Sequence, residues 1–224
     1  MFFWNILYNL YVILFHMFSG YFYCFVVINM LKEIEEYAKE NRVPIMMPSG
    51  IEYLCNYIKE HNIKRVLEIG SAIGYSAIRM ALVDDDVYVT TIEKDKDRYN
   101  VAVDNINKFN LSNRINIILD DALNTKIDDK YELVFIDAAK GKNIAFFEKY
   151  KHNLNDYGII ITDNLFFHGL VNNEELIETK NQRGIVNKIK NFISFLDNNK
   201  EFDTEYVSVG DGISISKKKD SKVN

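Results

Sequence analysis

The chain has 224 residues, enough for one α/β domain whose core stands without disulfides or a structural metal. Its 27 Lys and Arg against 32 Asp and Glu give a formal net charge of −5, which excludes a global pull toward polyanions or anionic membranes and requires any nucleic-acid partner to be met by a local basic patch. The two cysteines, Cys24 and Cys55, show neither metal spacing nor a disulfide framework, which suits a reducing cytoplasm, and buried thiol is their expected role.

Residues 1–30, MFFWNILYNLYVILFHMFSGYFYCFVVINM, carry no formal charge besides a titratable His16. They are long enough to cross a bilayer, which takes about 20 apolar residues. Asn5, Asn9, Ser19, Gly20 and Asn29 interrupt the run, which lacks the basic start and small-residue cleavage site of a signal peptide and is followed by more acid than base. A membrane anchor, an apolar packing or dimerisation segment, and an extension upstream of a start at Met30 all stay open, with membrane contact not the favoured one. The expected organisation is this apolar segment at 1–30, one domain over 31–219, and a polar tail at 220–224.

From Leu31 the chain changes character. LKEIEEYAKENR places Leu31, Ile34, Glu35 and Ala38 at helical spacing, and PIMMPSG, with two prolines and a glycine, is expected to end that helix before a second one in IEYLCNYIKEHN. Strands and helices then alternate: KRVLEI, a helix through YSAIRMALV, VYVTTIE, a helix from Asp95 to Phe109, INIILD, YELVFID, a helix through AFFEKYKHNL, and GIIITD. The helix from Asp95 is expected to lay Tyr99, Ala102, Val103 and Ile106 on the sheet. TEYVSVGDGISISKKK reads as two strands joined at Gly210-Asp211-Gly212, a hairpin signal. The fold predicted is α/β and Rossmann-like, a mostly parallel sheet with helices on both faces and a C-terminal antiparallel hairpin.

The stretch LEIGSAIGYSAIRMA, from Leu67, runs a strand through a glycine turn into a helix. In open parallel sheets the ligand sits beyond the carboxyl ends of the strands, where this turn lies. Gly70, Ala72 and Gly74 give G-x-A-x-G, not the G-x-G-x-x-G that cradles a pyrophosphate, and there is no Walker lysine. A neutral loop preceded by Glu68 suits a ligand with a cationic amino group and a sulfonium. Glu93, ending the second strand, can accept bonds from both ribose hydroxyls, and Asp121-Ala122 after the third is placed to reach an adenine edge. S-adenosylmethionine fits this set; the competing reading is that Glu68 and Glu93 are solvated strand ends.

Asp137 ends the fourth strand and Asp163-Asn164 the fifth. Two carboxylates and an amide oxygen at one sheet edge make an all-oxygen set, which favours Mg²⁺ over zinc. A lone strand-end aspartate is usually a cap or turn former, and it is the position beside the glycine turn that lifts this pair. Lys140, three residues beyond Asp137, is a candidate to take a proton, against the commoner role of a surface lysine. His168, in DNLFFHGLV, is read as a loop bystander.

From Leu31 to Lys219 the chain resembles the cation-dependent, catechol-type O-methyltransferases, and among them is most similar to the bacterial tRNA 5-hydroxyuridine methyltransferases. The stretches that carry this are EEYAKENRVPIM, LEIGSAIGYSAIRMA, TIEKD, DAL, FIDAAKG, IIITDNLFFHGLV and VGDGISISKKK. The resemblance implies a class I S-adenosylmethionine-dependent methyltransferase, with Met46, Ser76, Glu93, Ala122 and Asp137 lining the cofactor site and Asp137, Asp163 and Asn164 holding Mg²⁺. Asp137 and Lys140 are then the expected catalytic residues. Departures from the family pattern fall in the first thirty residues, where a more polar helical segment is usual, and at Ile193 in NFISFL, where a polar residue often follows the aromatic. The reaction implied is in-line attack of a hydroxyl oxygen on the sulfonium methyl, with a substrate that offers two neighbouring oxygens. The expected one is 5-hydroxyuridine in a tRNA anticodon loop, with a small catechol as the alternative. For tRNA, Arg42, Lys140, Lys142, Lys180, Arg183 and Lys188 would have to gather at the site mouth. A second copy of the chain is the other expected partner.

Overall fold

The structure, a computed structural model, describes residues 25–219; most of the apolar run, Cys24 and the polar tail lie outside the described residues. The chain divides into two units, 1–43 and 44–224. In the first, helix α1 covers 25–40 and so runs across the change of composition at Met30. It closes where Asn41 N donates to Tyr37 O (3.0 Å) and Val43 N to Ala38 O (2.8 Å), with Arg42 left-handed at φ +53°. Among the described residues no helix is long and apolar enough to cross a membrane.

The second unit opens with α2, Pro48–Glu60, which starts three residues before the predicted IEYL. PIMMPSG therefore begins a helix as well as separating two: Pro48 occupies the first helical turn, where its missing N–H costs nothing and its fixed φ is already helical. Then follow β1 (Arg65–Ile69), α3 (Tyr75–Ala81), β2 (Tyr88–Glu93), α4 (Lys96–Lys108), β3 (Ile115–Leu119), β4 (Tyr131–Ile136), a 3₁₀ turn (Lys140–Lys142), α5 (Asn143–Tyr150), β5 (Leu154–Thr162), α6 (Lys180–Asp197), β6 (Phe202–Val207) and β7 (Ile213–Lys218). The seven strands lie in the order β3-β2-β1-β4-β5-β7-β6. The first five pair in parallel, and β7 runs antiparallel to both β5 and β6. This is the class I S-adenosylmethionine-dependent methyltransferase fold. α3 packs on α2 and α4, while α5 packs on α6, two helical layers on the sheet.

Parallel strands covered on both sides must be apolar throughout, and Val66, Leu67 and Ile69 of β1 and Leu133 to Ile136 of β4 are all fully buried. Phe147 of α5 packs edge-on to Phe192, Phe195 and Phe202, tying α6 and β6 to that layer. Each such buried side chain stabilises the fold by roughly 1.5–3 kcal/mol.

Three local expectations are corrected. The buried face of α4 is Ala102, Asn105 and Ile106, with Tyr99 and Val103 only half-buried, because Asn105 turns inward to donate Nδ2 to Ile73 O (2.9 Å). β5 begins at Leu154, four residues before GIIITD, since a 3₁₀ turn at Lys151–Asn153 brings the chain back to pair Leu154 with Tyr131. α6 falls where no element is predicted; Thr179 and Gln182 form a capping box at its start, and Val186, Ile189, Phe192 and Leu196 make its buried stripe.

Candidate functional site

β1 and β4 are neighbours although β2 and β3 intervene in sequence, so the chain changes direction across the sheet between them, where the strand ends leave a crevice. Each strand is extended one step past its end by a backbone bond to its neighbour. Gly70 N donates to Ile92 O (3.0 Å), Asp137 N to Ile69 O (3.0 Å), Asp163 N to Ile136 O (3.2 Å) and Asp120 N to Glu93 O (3.0 Å). Four segments distant in sequence are thereby held at one edge.

The glycine turn alternates left-handed residues: Gly70 (φ +102°), Ala72 (φ +46°) and Gly74 (φ +83°). A Cβ on Gly70 would stand 2.3 Å from the Asp137 carbonyl oxygen, so only glycine lets the turn lie against β4's end. Ala72 N donates to Glu93 Oε2 (2.8 Å), while Glu93 Oε1 accepts from Lys94 N (2.9 Å) and Asp95 N (2.8 Å). The Glu93 carboxylate is thus buried and pinned between two loops at the crevice.

Glu68 stands behind the turn. It is fully buried, directly opposite Thr91 in the β1–β2 ladder, and accepts bonds from Thr91 Oγ1 (2.5 Å) and the Ser76 hydroxyl. Ser76 therefore spends its hydroxyl on Glu68. Burial pushes the Glu68 carboxyl up to about 7, against the pull of the two hydroxyls, with Asp137 and Glu93 adding to the rise. A carboxyl that titrates higher folded than unfolded keeps an extra proton in the folded state, so its contribution is full below about 4.5 and is lost as pH rises toward 7. The loss amounts to about 3 kcal/mol. Glu68→Gln is expected to flatten this part of the pH dependence, costing less stability relative to wild type at pH 8 than at pH 4.5; urea midpoints at the two values check it.

After β3, Asp121 Oδ1 accepts from Leu123 N (2.9 Å) and Oδ2 pairs with Lys142 Nζ (3.2 Å). The Leu123 bond and Lys142 hold the Asp121 carboxyl below its ordinary value. Ala122 is buried, and its carbonyl accepts from Tyr150 Oη (2.6 Å) and Lys149 Nζ (2.8 Å). Lys149 also donates to Leu123 O (2.8 Å) and Thr125 O (2.6 Å), so α5 grips this loop from behind. Neither Lys149 nor Tyr150 stands out in the sequence.

Asp137, Asp163 and Asn164 come together with Lys140. Lys140 Nζ donates to Asn164 Oδ1 (2.6 Å) and stands close enough to both carboxylates to offset their charge. Burial, then Asp137, push Asp163 up to about 7, and burial raises Asp137 as well. Asp163 Oδ1 is buried with no hydrogen-bond partner. An orphaned carboxylate oxygen, a second carboxylate on half-buried Asp137 and an amide oxygen already facing an ammonium make a donor set short of positive charge, which fits a hard divalent cation. Among the described residues no three His, Cys, Asp or Glu side chains converge as a cation cage, so the set depends on the amide and on water or substrate oxygens.

Asp211, which the sequence presents only as a turn residue, joins this group. Met46, buried two residues before α2, lies 3.2 Å from where a Cβ on Gly50 would be, and Gly50 Cα would meet one on Gly210 at 3.1 Å. The basic residues divide: Lys188 of α6 lies over Gly141 beside Lys140 and Lys142, whereas Arg183 and Lys190 turn to Glu174. Lys180 opens α6, and Arg42 belongs to the first unit. Cys55 is half-buried, its thiol 3.5 Å from Arg79 O and pushed up to about 11 by burial.

Comparison with known proteins identifies the family. The O-methyltransferase family profile matches residues 25–219. A crystal structure of a Staphylococcus aureus protein provisionally named a caffeoyl-CoA O-methyltransferase superposes with a TM-score of 0.80 at 34% identity, covering 84% of this chain and 92% of that one. Caffeoyl-CoA O-methyltransferase of Populus kitakamiensis is 29% identical over 202 residues, 84% of this chain and 86% of its own. A Podospora anserina methyltransferase solved with S-adenosylhomocysteine shares the fold, with a TM-score of 0.76 at 24% identity over 85% of this chain and 88% of that one. The chain belongs to the O-methyltransferase family.

Proposed function

We propose that this site moves the methyl group of S-adenosylmethionine to a hydroxyl oxygen flanked by a second oxygen, with Mg²⁺ held by Asp137, Asp163 and Asn164. The proposed substrate is 5-hydroxyuridine in a tRNA anticodon loop, which becomes 5-methoxyuridine. The observation that carries the cation is the orphaned, buried Asp163 Oδ1 beside Asp137. When bound, Mg²⁺ supplies the charge that acidifies the hydroxyl and fixes its neighbouring oxygen. The chain's own part is placement. The Gly70–Gly74 turn admits the cofactor against bare backbone, Glu93 accepts from its ribose, and the loop gripped by Lys149 presents Asp121 and Ala122 to the adenine. Lys140, released from Asn164 and having given its own ammonium proton to solvent, would as the neutral amine be positioned to take the hydroxyl proton. Alignment of oxygen, methyl and sulfur can supply about 7–11 kcal/mol of the barrier.

Glu93→Ala is expected to weaken S-adenosylmethionine binding by roughly 10- to 150-fold, since hydrogen bonds to a charged acceptor are worth about 1.5–3 kcal/mol. Calorimetry on the full chain measures it, and unchanged affinity would remove Glu93 from the site.

The tRNA substrate is supported by the sequence resemblance and by Lys142 and Lys188 standing beside Lys140. An anticodon loop presents an unstacked base that a shallow site can read. The names of the Populus and Staphylococcus relatives favour a second reading, a small catechol or phenolic acceptor. Incubation with S-adenosylmethionine, Mg²⁺ and tRNA from a strain lacking this gene should yield 5-methoxyuridine, in a reaction stopped by EDTA and weakened steeply by salt. If no 5-methoxyuridine forms while a catechol is methylated efficiently, the small-molecule reading replaces it; full activity in EDTA would end the cation assignment.

A further inference from the structure

The β6–β7 turn, Gly210-Asp211-Gly212, is wedged between α2 and the loop that follows β5. A Cβ on Gly210 would meet Gly50 Cα at 3.1 Å, and one on Gly212 would meet the Phe166 ring at 2.8 Å. The two segments are laced by backbone bonds, Leu165 N to Gly212 O (3.0 Å) and Phe166 N to Asp211 O (2.7 Å). Asp211 is buried there, 4% exposed, and neither of its oxygens is idle. Oδ1 accepts from His168 N (2.6 Å), and Oδ2 faces Asn164 Nδ2 at 3.4 Å. The loop it holds is strained, with Asn164 (φ +66°), Phe167 (φ +47°) and His168 (φ +56°) all left-handed. Non-glycine residues in that region persist only where their surroundings over-determine them.

An amide side chain can present either its oxygen or its nitrogen, and its neighbours decide which. Here two neighbours agree. Lys140 Nζ donates to Asn164 Oδ1 at 2.6 Å; Asp211 already accepts from His168 N through Oδ1, and its Oδ2 faces Asn164 Nδ2 at 3.4 Å. We propose that Asp211 is a positioning residue that locks the Asn164 amide with its oxygen toward Asp137 and Asp163 and its nitrogen away from them. A cation can bind the oxygen and is repelled by the N–H groups, so the wrong orientation would replace a ligand with a clash of charge. This rests on the reading of Asp137, Asp163 and Asn164 as a cation site. Partners that orient a ligand in this way typically govern affinity by about 10–100-fold.

The experiment compares Mn²⁺ binding, followed by the electron paramagnetic resonance of free Mn²⁺, in the full wild-type chain and in Asp211→Asn, Asp211→Ala and Asp211→Asn/Asn164→Asp. Asparagine at 211 uses its oxygen for His168 N–H and turns its own N–H groups on Asn164, forcing that amide to flip. Asp211→Asn is therefore expected to bind Mn²⁺ at least about tenfold more weakly, and to be the worse of the two single variants, because alanine leaves the amide free. In the double variant a carboxylate at 164 presents oxygen either way, and affinity should return to near the wild-type value. S-adenosylmethionine affinity and Tm, measured alongside, should change little in Asp211→Asn. Equal Mn²⁺ binding by wild type and Asp211→Asn would overturn the inference and leave the cation site standing. So would Asp211→Ala binding as weakly as Asp211→Asn or more so, which would mean lost charge or lost loop structure, and so would a parallel fall in cofactor affinity and Tm. Absence of Mn²⁺ binding by the wild type would end the cation reading and this inference with it.

Discussion

Asp163→Ala is expected to abolish turnover while leaving S-adenosylmethionine bound. A cation at a transferring centre contributes several kcal/mol to the transition state, so losing a ligand should lower kcat by about a thousandfold or more. The contacts proposed for the cofactor lie on the Gly70 turn, Glu93 and Asp121-Ala122, apart from Asp163, so its dissociation constant should move little. A companion variant separates function from folding. Burial and the neighbouring Asp137 push the Asp163 carboxyl up to about 7, so the ionised pair is a cost to the folded state at neutral pH and above. Asp163→Asn keeps the shape and removes that charge, and its Tm at pH 8 should exceed that of the wild type. Sites assembled for chemistry are commonly less stable than they could be. Wild-type turnover in Asp163→Ala would remove this residue from the mechanism, and a lower Tm for Asp163→Asn would show that the carboxylate helps the fold.

Gly70→Ala should have the other large effect, by another route. The added Cβ would lie 2.3 Å from the Asp137 carbonyl oxygen and 3.0 Å from its carbon, and backbone cannot swing aside as a side chain does. The left-handed φ of +102° adds strain that alanine bears badly, about 1–3 kcal/mol. The turn and the end of β4 must separate, which disturbs the glycine turn and Asp137 together. The expected results are a Tm lower by roughly 3–10 °C, loss of detectable cofactor binding by calorimetry, and inactivity. Gly74→Ala should be milder: its φ of +83° also strains alanine, but the nearest atoms its Cβ would meet, on Ala102, lie at 3.3–3.5 Å.

The parallel strands and their carboxylate ends are legible in the sequence because apolar runs such as YELVFID and GIIITD stop abruptly at Asp137 and Asp163, and buried parallel strands have no other way to end than in polar residues at the crevice. The glycine turn is legible for the same reason. What a side chain does once there is less so. Nothing in LEIGSAIGYS announces that Ser76 and Thr91 bring two hydroxyls to Glu68, because the pairing depends on the β1–β2 register and on the pitch of α3. Helix α6 escapes because its first turn, KNQRG, is polar and contains Gly184, and its apolar stripe begins only at Val186. Asp211 is hidden by its flanking glycines: an aspartate between two glycines is ordinary turn chemistry, and only the fold shows that the turn abuts Asn164.

The place of β7 in the sheet has a consequence for how the protein is made. It lies between β5 and β6, and it follows both in chain order. While a ribosome is still adding Ile213–Lys218, β6 has no strand to join, and β5, with Ile159, Ile160 and Ile161, is an unpaired edge of the kind that recruits strands from other chains. Asp211 cannot reach the Asn164 loop until that edge is filled. A nascent chain can therefore assemble its glycine turn before its Asp163–Asn164 loop is fixed, and the strand that covers the β5 edge follows directly on the turn that brings Asp211 to that loop.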